Sequence, residues 1–594
     1  MIKDNKIFLG MAGDTRVEFA LKMANRHGLI AGATGTGKTV SLKVLAESFA
    51  DAGVPVFMAD VKGDLAGMVS PGVPTDTVAP KIEKYGLNDE GFAFRGYPVN
   101  FWDIYAQGGM PLRTTVSEMG PLLMARILGL TDTQASVLSV VYKIADDNNL
   151  LLIDTKDLKA MLAYVEEHAS DFTMNYGNMS KQSLGVIVRA IVALESEGGD
   201  QFFGEPALDI NDWLTVNYDG RGMIQMLDCR TLVNQPTMYS TFLLWMISEL
   251  YETLPEVGDL EKPRMVFFFD EAHLLFENAS KALLEKIEQV VKLIRSKGVS
   301  IFFITQSPKD IPDGVLAQLG NKVQHALHAY TPAETRAVKQ AADSFRPNPE
   351  FDTYDTLTSL GIGEALVSTL DADGVPTMVQ KTSILPPQSS LGAIDDATRQ
   401  QSITYSPLNK RYMDYFDRDS AYEFLLRINA EAAEEAQRIA DEAAAAKAEL
   451  EAQKAAEKEE LAAQKQAEKE ALAAQKAAEK EELAAQKAAE KEALAAQKQA
   501  EKEALAAQKA AEKEALAAQK AAEKEALAAE KAALAKKKKV KNVFSNAAGS
   551  AGSTLGREIG KTVGDSIGGD FGKKIGGSVG STLGRGVLST LFKL

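Results

Sequence analysis

Residues 32–39 have the types and spacing of a loop that binds the phosphates of a nucleotide. The segment reads Gly32, Ala33, Thr34, Gly35, Thr36, Gly37, Lys38 and Thr39, which fits the pattern G-x-x-x-x-G-K-[ST]. In such a loop the glycines let backbone N–H groups close around a β-phosphate, and the lysine reaches the β- and γ-phosphate oxygens. The hydroxyl of Thr39 is then placed to bind Mg²⁺. We therefore predict that this P-loop binds ATP, with Mg²⁺ as the metal.

A pair of acidic residues could supply the hydrolytic part of this chemistry. Asp270 and Glu271 directly follow the apolar run 265–269. We predict that Asp270 binds Mg²⁺ and that Glu271 orients and deprotonates the attacking water. His273 follows closely, and it either caps the strand end or takes part in catalysis. Together with the P-loop, the two acids predict a nucleotide hydrolase.

Three further positions are candidates for contact with the nucleotide. Gln306 follows the apolar run 299–304, and its amide either senses the γ-phosphate or lies on the surface. Arg295 either reaches the nucleotide of a neighbouring subunit, as an arginine finger, or ends a solvated helix. Arg336 and Arg346 are alternative candidates for the finger. The segment 60–64, DVKGD, follows another apolar run at the edge where ligands bind in parallel sheets, so it could contact the nucleotide or a neighbour.

Short strands alternating with helices would bring these residues to one edge of a sheet. Apolar runs bounded by polar turns occur at 29–31, 54–59, 265–269 and 299–304, and helical patterns separate them. Continuous apolar runs are typical of parallel strands that are covered by helices on both faces. We predict an α/β fold with a mainly parallel sheet, and a helical insertion at about 110–215.

Composition divides the chain into four segments. We predict a P-loop core at 1–410, a connecting helix at 411–430, a helical arm at 431–535 and a C-terminal tail at 536–594. The arm consists mainly of Ala, Glu, Lys, Gln and Leu, whereas the tail is basic and rich in Gly.

The arm is built from an eleven-residue repeat. Its leucines recur at this spacing from Leu450 to Leu527. Eleven residues over three helical turns give about 3.67 residues per turn, which permits a nearly straight or right-handed superhelix. Each Leu is flanked by Lys and Glu, whereas the Ala residues share the opposite side. Two interpretations stay open, a single solvated helix and a coiled coil with small residues at its contact.

The tail repeats glycine at every fourth position from Gly552 to Gly584. So many glycines would persist in a helix only where close packing offsets their cost of about 1 kcal/mol each. The tail is therefore either a helix that binds another copy or a membrane surface, or a flexible segment produced by repeat expansion.

Charge and cysteine content exclude several classes of protein. The chain has a formal charge of −16 and one cysteine, Cys229. A disulfide-stapled secreted scaffold is excluded, and an acidic body argues against passive coating of nucleic acid or anionic lipid. The sequence has neither the apolar stretch of a signal peptide nor a run of about 18 apolar residues, so we expect a cytoplasmic protein.

The motifs named above resemble those of the HerA/FtsK class of P-loop motor ATPases. The shared motifs are GATGTGKT, FFFDEAH and the strand ending ITQSP, in this order. Other stretches resemble a bacterial branch made mainly of a HerA-like helicase C-terminal domain. These are MADVKGDLAG (58–67), PLRTTVSEMGPLL (111–123), FFGEPALDI (202–210), LIRSKGVSIFFITQSP (293–308) and FRPNP (345–349).

The resemblance implies a RecA-like core, ring-shaped oligomers that are usually homo-hexamers, ATP hydrolysis at subunit interfaces, and movement on duplex DNA. It therefore predicts a DNA translocase or helicase. Two alternatives stay open. One is an ATPase coupled to protein or membrane-associated transfer, in which the arm and tail bind a protein or a membrane surface. The other is a nucleotide-gated scaffold.

Overall fold

One mixed sheet organises the part of the chain that the computed structural model describes, residues 1–277 and 281–493. Its strands are β1 (Ile2–Lys3), β2 (Lys6–Ala12), β3 (Thr15–Ala20), β4 (Gly28–Ala31), β5 (Val56–Asp60), β6 (Val99–Asp103), β7 (Met110–Pro111), β8 (Ile224–Asp228), β9 (Met265–Phe269), β10 (Val299–Thr305), β11 (Asn321–Gln324), β12 (Glu364–Ser368) and β13 (Gln380–Ile384).

Helices connect these strands. They are α1 (Lys38–Asp51), α2 (Ala79–Lys84), α3 (Val116–Ile127), α4 (Asp132–Asp147), α5 (Thr155–Glu167), α6 (Ala169–Tyr176), α7 (Lys181–Ser196), α8 (Gly199–Phe202), α9 (Pro236–Thr253), α10 (His273–Glu277), α11 (Lys281–Leu293), α12 (Asp313–Leu316), α13 (Pro332–Asp343), α14 (Thr353–Ser359), α15 (Asp396–Tyr405), α16 (Asn409–Met413) and α17 (Ala421–Ala493). Short 3₁₀ helices cover Leu21–Arg26, Ala66–Val69, Ile210–Trp213, Leu232–Asn234, Ile294–Lys297 and Pro308–Asp310.

The centre of the sheet is parallel, and one flank is antiparallel. The order β11-β4-β10-β9-β5-β8-β6-β7 runs through parallel pairs. The order β1-β2-β13-β12 continues from β11 through antiparallel pairs, and β3 pairs with β2. The predicted α/β fold with a mainly parallel sheet is confirmed.

Aromatic packing makes the centre of the sheet a dense core. All residues of β9 and β10 are buried. The ring of Phe268 stacks on Phe302 at 5.2 Å between centroids, and Phe269 stacks on Phe303 at 5.8 Å. Such aromatic pairs stabilise a core beyond the area that they bury. Both strands therefore hold the polar residues that follow them in fixed positions.

Helices α3 to α8 lie between β7 and β8, where the sequence predicts a helical insertion. The start of α3 shows why a helix forms here. The Thr115 hydroxyl accepts a hydrogen bond from the Glu118 N–H at 3.1 Å, and the Glu118 carboxylate accepts one from the Thr115 N–H at 3.2 Å. This reciprocal capping satisfies N–H groups that the first helical turn leaves unbonded.

Residues Met1–Tyr422 form one compact unit, and a second unit begins at Glu423. Residues 414–420 are not helical and separate α16 from α17, so the predicted connecting segment 411–430 is not one continuous helix. In the described part of the chain, no helix combines the length and apolar composition that a membrane crossing requires.

The predicted arm is helical as far as the structure describes it, because α17 extends to Ala493. Leu450, Leu461 and Leu472 are 51%, 52% and 53% exposed. Such equal exposures are expected when a repeat matches three helical turns. The remaining part of the arm and the Gly-repeat tail lie outside the described residues, and the coiled coil stays a prediction.

Candidate nucleotide-binding site

The P-loop lies between the end of β4 and the start of α1, as the sequence predicts for such a motif. Two of its glycines are required by the backbone. Gly37 has φ of +114°, a conformation that other residues rarely adopt. A Cβ atom on Gly32 would lie 2.5 Å from the Cβ of His325. Thr34 and Gly35 are exposed at the tip of the loop.

The Lys38 side chain folds back over this loop. Its Nζ donates hydrogen bonds to the Gly32 carbonyl at 2.7 Å and to the Ala33 carbonyl at 3.1 Å. Burial lowers the pKa of Lys38. A buried ammonium bonded to two uncharged carbonyls is suited to bind an anion, because phosphate oxygens would supply the missing negative charge.

The acidic pair lies at the same edge of the sheet, after β9. Asp270 is only 6% exposed, and burial together with the Glu271 charge raises its pKa to about 7. Glu271 adopts the left-handed conformation with φ of +48°. Such strained backbone tends to occur at functional sites.

Three side chains surround the Glu271 carboxylate. Lys62 forms an ion pair with one oxygen. Gln306 Nε2 lies 3.5 Å from the other oxygen, and His273 Nδ1 lies 3.3 Å from it. Burial alone would raise the pKa of Glu271, but the hydrogen bond and charge of Lys62 outweigh burial, and the pKa is lowered. Glu271 is therefore a fixed, ionised carboxylate beside Asp270.

The loop that carries Lys62 is held from below by Asp60. The carboxylate of Asp60 accepts hydrogen bonds from the N–H groups of Gly63 at 2.7 Å and Ala66 at 3.2 Å. Lys43 from α1 donates to the Asp64 carbonyl at 2.9 Å. Segment 60–64 thus borders the predicted catalytic residues, and its contact with the nucleotide or a neighbour stays a prediction.

Oxygen atoms suited to Mg²⁺ meet at this wall. Thr39 Oγ1 lies 3.5 Å from Asp64 Oδ2, whereas Asp64 Oδ1 is buried with no hydrogen-bond partner. The described residues contain no cluster of three or more His, Cys, Asp or Glu that could hold a metal. Mg²⁺ is commonly bound by one or two carboxylates, with water and phosphate completing its shell. Thr39, Asp64 and Asp270 fit that pattern.

Open space lies at the tip of the P-loop. A cavity of about 710 Å³ is lined by Ala33, Thr34 and Gln306, together with His328 and Tyr330. Two residues of the P-loop and Gln306 therefore border a common space.

His325 is a site residue that the sequence reasoning missed. Its Nδ1 donates to the Glu364 carbonyl at 2.9 Å, so its Nε2 accepts from the Ser41 hydroxyl at 2.8 Å. Burial lowers its pKa to about 4, so the ring is neutral. It fills the space behind Gly32 and holds the P-loop in place. It directly follows β11 in the mixed segment 325–330, HALHAY, which gave no sign of this role.

Arg295 is not brought together with the P-loop of its own chain. It precedes β10, at the amino ends of the parallel strands, whereas the P-loop follows the carboxyl end of β4. Its Nη2 donates to Asp259 Oδ1 at 3.0 Å. A role at the nucleotide would require a neighbouring subunit, and it stays a prediction.

Comparison with known proteins gives a family for the chain. The family model for the helicase HerA-like C-terminal domain matches residues 8–492. The probable helicase MJECL08 of Methanocaldococcus jannaschii is 29% identical over 125 residues, which cover 20% of this chain and 22% of that protein. The DNA double-strand break repair helicase HerA of Sulfolobus acidocaldarius is 19% identical over 361 residues, covering 60% of this chain and 65% of that protein.

Both matches thus span less than two thirds of the relatives' own lengths. Among solved structures, the unbound monoclinic form of the bacterial conjugative coupling protein TrwBdeltaN70 is similar, at 14% identity and a TM-score of 0.44. That similarity covers 66% of this chain and 92% of the coupling protein. From the family match over most of its length, the chain belongs to the HerA-like helicase C-terminal family, in the HerA/FtsK class of P-loop ATPases.

Proposed function

We propose that this chain hydrolyses ATP and acts as a ring-forming motor on duplex DNA. One observation carries the hydrolytic part of the proposal. The Glu271 carboxylate is held by Lys62 and Gln306 beside the buried Asp270, at the sheet edge that also carries the P-loop. Glu271 has a strained backbone and lies between the cation of Lys62 and the amide of Gln306. An acidic residue that only ended a strand would not require this arrangement.

Each residue of the site has a defined part in this reaction. Lys38 binds the β- and γ-phosphates, and the P-loop backbone encloses the β-phosphate. Thr39 and Asp270 would hold Mg²⁺, with Asp64 beside them. Mg²⁺, when bound, neutralises charge on the phosphate oxygens. Glu271 orients the attacking water and accepts its proton, and Gln306 senses the γ-phosphate.

The ring is proposed to be a homo-hexamer, in which Arg295 of one subunit reaches the nucleotide of the next. Arginine fingers of this kind stabilise the charge of the transition state. The names of the two curated relatives include the word helicase, and one is a DNA double-strand break repair helicase, which supports DNA as the track. The arm and tail are proposed as attachment points for a further protein or a membrane surface.

The test is ATP turnover with and without linear duplex DNA, at low and at high salt. We expect DNA to stimulate turnover at low salt and the stimulation to fade as salt rises, because phosphate contacts weaken with salt. Glu271→Gln serves as the inactive variant. Glu261→Gln serves as its matched control, since Glu261 is an exposed residue paired with Lys22.

Turnover that is lost in Glu271→Gln but indifferent to DNA at every salt concentration would contradict DNA as the track. Turnover that persists in Glu271→Gln would contradict the catalytic assignment itself.

A further inference from the structure

An exposed isoleucine lies one residue away from a direct contact with the P-loop. Ile362 is 84% exposed and stands between two glycines in the loop that joins α14 to β12. Single apolar side chains on a surface are common and need no explanation by themselves. Ile362, however, lies close to the residues predicted to bind the phosphates, so a role in binding the nucleotide can be considered.

The loop touches the P-loop through its backbone. The Gly363 N–H donates to the Thr36 carbonyl at 3.0 Å. A Cβ atom built on Gly37 would lie 3.2 Å from the Cα of Gly363. The loop 361–363 therefore forms a wall beside the start of α1, next to the residues that enclose the phosphates.

The sheet order fixes the side of the P-loop on which this wall stands. The sequence of neighbours is β12-β11-β4-β10-β9. Glu271 follows β9, two strands from the P-loop strand on one side. Because β12 is antiparallel to β11, with Leu366 opposite Gln324, Gly363 lies at the same edge, two strands away on the other side.

The positions of Glu271 and of the loop 361–363 on opposite sides of the P-loop suggest in which direction a bound nucleotide would lie. Lys38 reaches the β- and γ-phosphates, and the hydrolytic Glu271 marks the γ-phosphate end. The nucleoside of a triphosphate whose γ-phosphate pointed toward Glu271 would extend in the opposite direction, toward the loop 361–363.

A cation borders the same wall. Lys81 of α2 donates to the Ile384 carbonyl at 3.2 Å, and a Cβ atom on Gly363 would lie 3.1 Å from its Nζ. The wall thus presents one apolar side chain and one cation. This combination suits a neutral base that is joined to an anionic phosphate chain.

We propose that the loop 361–363 binds the nucleoside half of the nucleotide, with Ile362 packing against the base. This inference rests on the proposed ATPase function and adds a base-binding site to it. An isoleucine packed in this way contacts the apolar face of the base and few of the polar atoms at its edges. The site would accept purine nucleotides as a class.

The test compares ADP with inorganic pyrophosphate as ligands of the full chain, by calorimetry in the presence of Mg²⁺. Neither ligand requires turnover, and only ADP carries a base. We expect Ile362→Asn to weaken ADP binding by about tenfold, the effect of losing one good apolar contact, and to leave pyrophosphate binding unchanged. Ile362→Leu should keep the ADP affinity of the unaltered chain.

Val375→Asn is the matched control, because Val375 is 46% exposed and lies between β12 and β13. It should change the affinity for neither ligand. An equal loss of ADP and pyrophosphate binding in Ile362→Asn, with unchanged thermal unfolding, would overturn the base contact. Unchanged ADP binding in that variant would also overturn it. If the unaltered chain bound neither ligand, the proposed ATPase function would fail as well.

Discussion

The buried His27 is expected to make the stability of the protein depend on pH. Its Nε2 donates to the Val291 carbonyl at 2.8 Å, and its Nδ1 accepts from the Ile301 N–H at 3.0 Å. This arrangement needs a neutral ring. Burial lowers the pKa of His27 to about 4, and the charge of Arg295 adds to the effect.

The size of the effect follows from the difference between folded and unfolded pKa. The ordinary pKa of histidine is 6.5, so between pH 6.5 and pH 4 the unfolded chain binds a proton that the folded chain does not. The stability from the neutral ring is fully present above pH 6.5 and falls as the pH falls toward 4. Between pH 7.5 and pH 5 the linkage relation gives a loss of about 2 kcal/mol.

The assay is urea unfolding at pH 7.5 and at pH 5, followed by the fluorescence of the buried Trp102, Trp213 and Trp245. The comparison is with His27→Asn. His27 has φ of +57°, and asparagine tolerates that conformation without a titrating ring. We expect the variant to be less stable at pH 7.5 but to lose about 2 kcal/mol less than the parent on going to pH 5.

The neutral His325 is present in both proteins, so its titration cancels in the comparison. Equal losses of stability in parent and variant between the two pH values would refute the reasoning, because His27 would then contribute nothing to the difference.

Four predictions concern the site and the domain boundary. Lys62→Gln should lower turnover by about tenfold while ADP binding stays constant, because the catalytic carboxylate loses its positioning cation; weaker ADP binding would contradict this. Asp64→Asn should raise the Mg²⁺ concentration needed for half-maximal turnover, as read from a Mg²⁺ titration; an unchanged value would remove Asp64 from the metal site. Arg295→Ala should reduce turnover by at least about 10³-fold, whereas Asp259→Asn, which removes only its partner in the same chain, should not. A chain that ends at residue 445 should keep the thermal unfolding and turnover of the full chain, and insolubility would show that the part of the arm beyond residue 445 is needed for the preceding residues to fold.

The parallel sheet and the P-loop could be predicted because both depend on short patterns of neighbouring residues. Continuous apolar runs such as 265–269 and 299–304 became β9 and most of β10. The spacing of glycines and Lys38 predicts the loop geometry directly. The glycines allow the tight backbone turn, and the lysine supplies the positive charge that binds phosphate.

The partners of the catalytic residues could not be predicted, because they come from distant parts of the chain. Lys62 and Glu271 are 209 residues apart, and Ser41 and His325 are 284 residues apart. Only the order of strands in the sheet brings them together. The break at 414–420 was missed although the sequence signals it. The segment contains Asp414, Asp417 and Asp419, which are weak helix formers, and Ser420 followed by Glu423 has the pattern of a capping box at a helix start. Ser420 also forms a tertiary hydrogen bond with the buried Asp157 at 2.6 Å.

The central claim is that Glu271 performs the chemistry of a nucleotide site built by the P-loop. The most direct measurement is steady-state ATP turnover of the parent and of Glu271→Gln, together with their affinities for ADP. The account predicts turnover in the parent, a loss of at least about 10²-fold in the variant, and similar ADP affinities in both. Undiminished turnover in Glu271→Gln, or a parent chain that binds ADP without hydrolysing ATP, would contradict it.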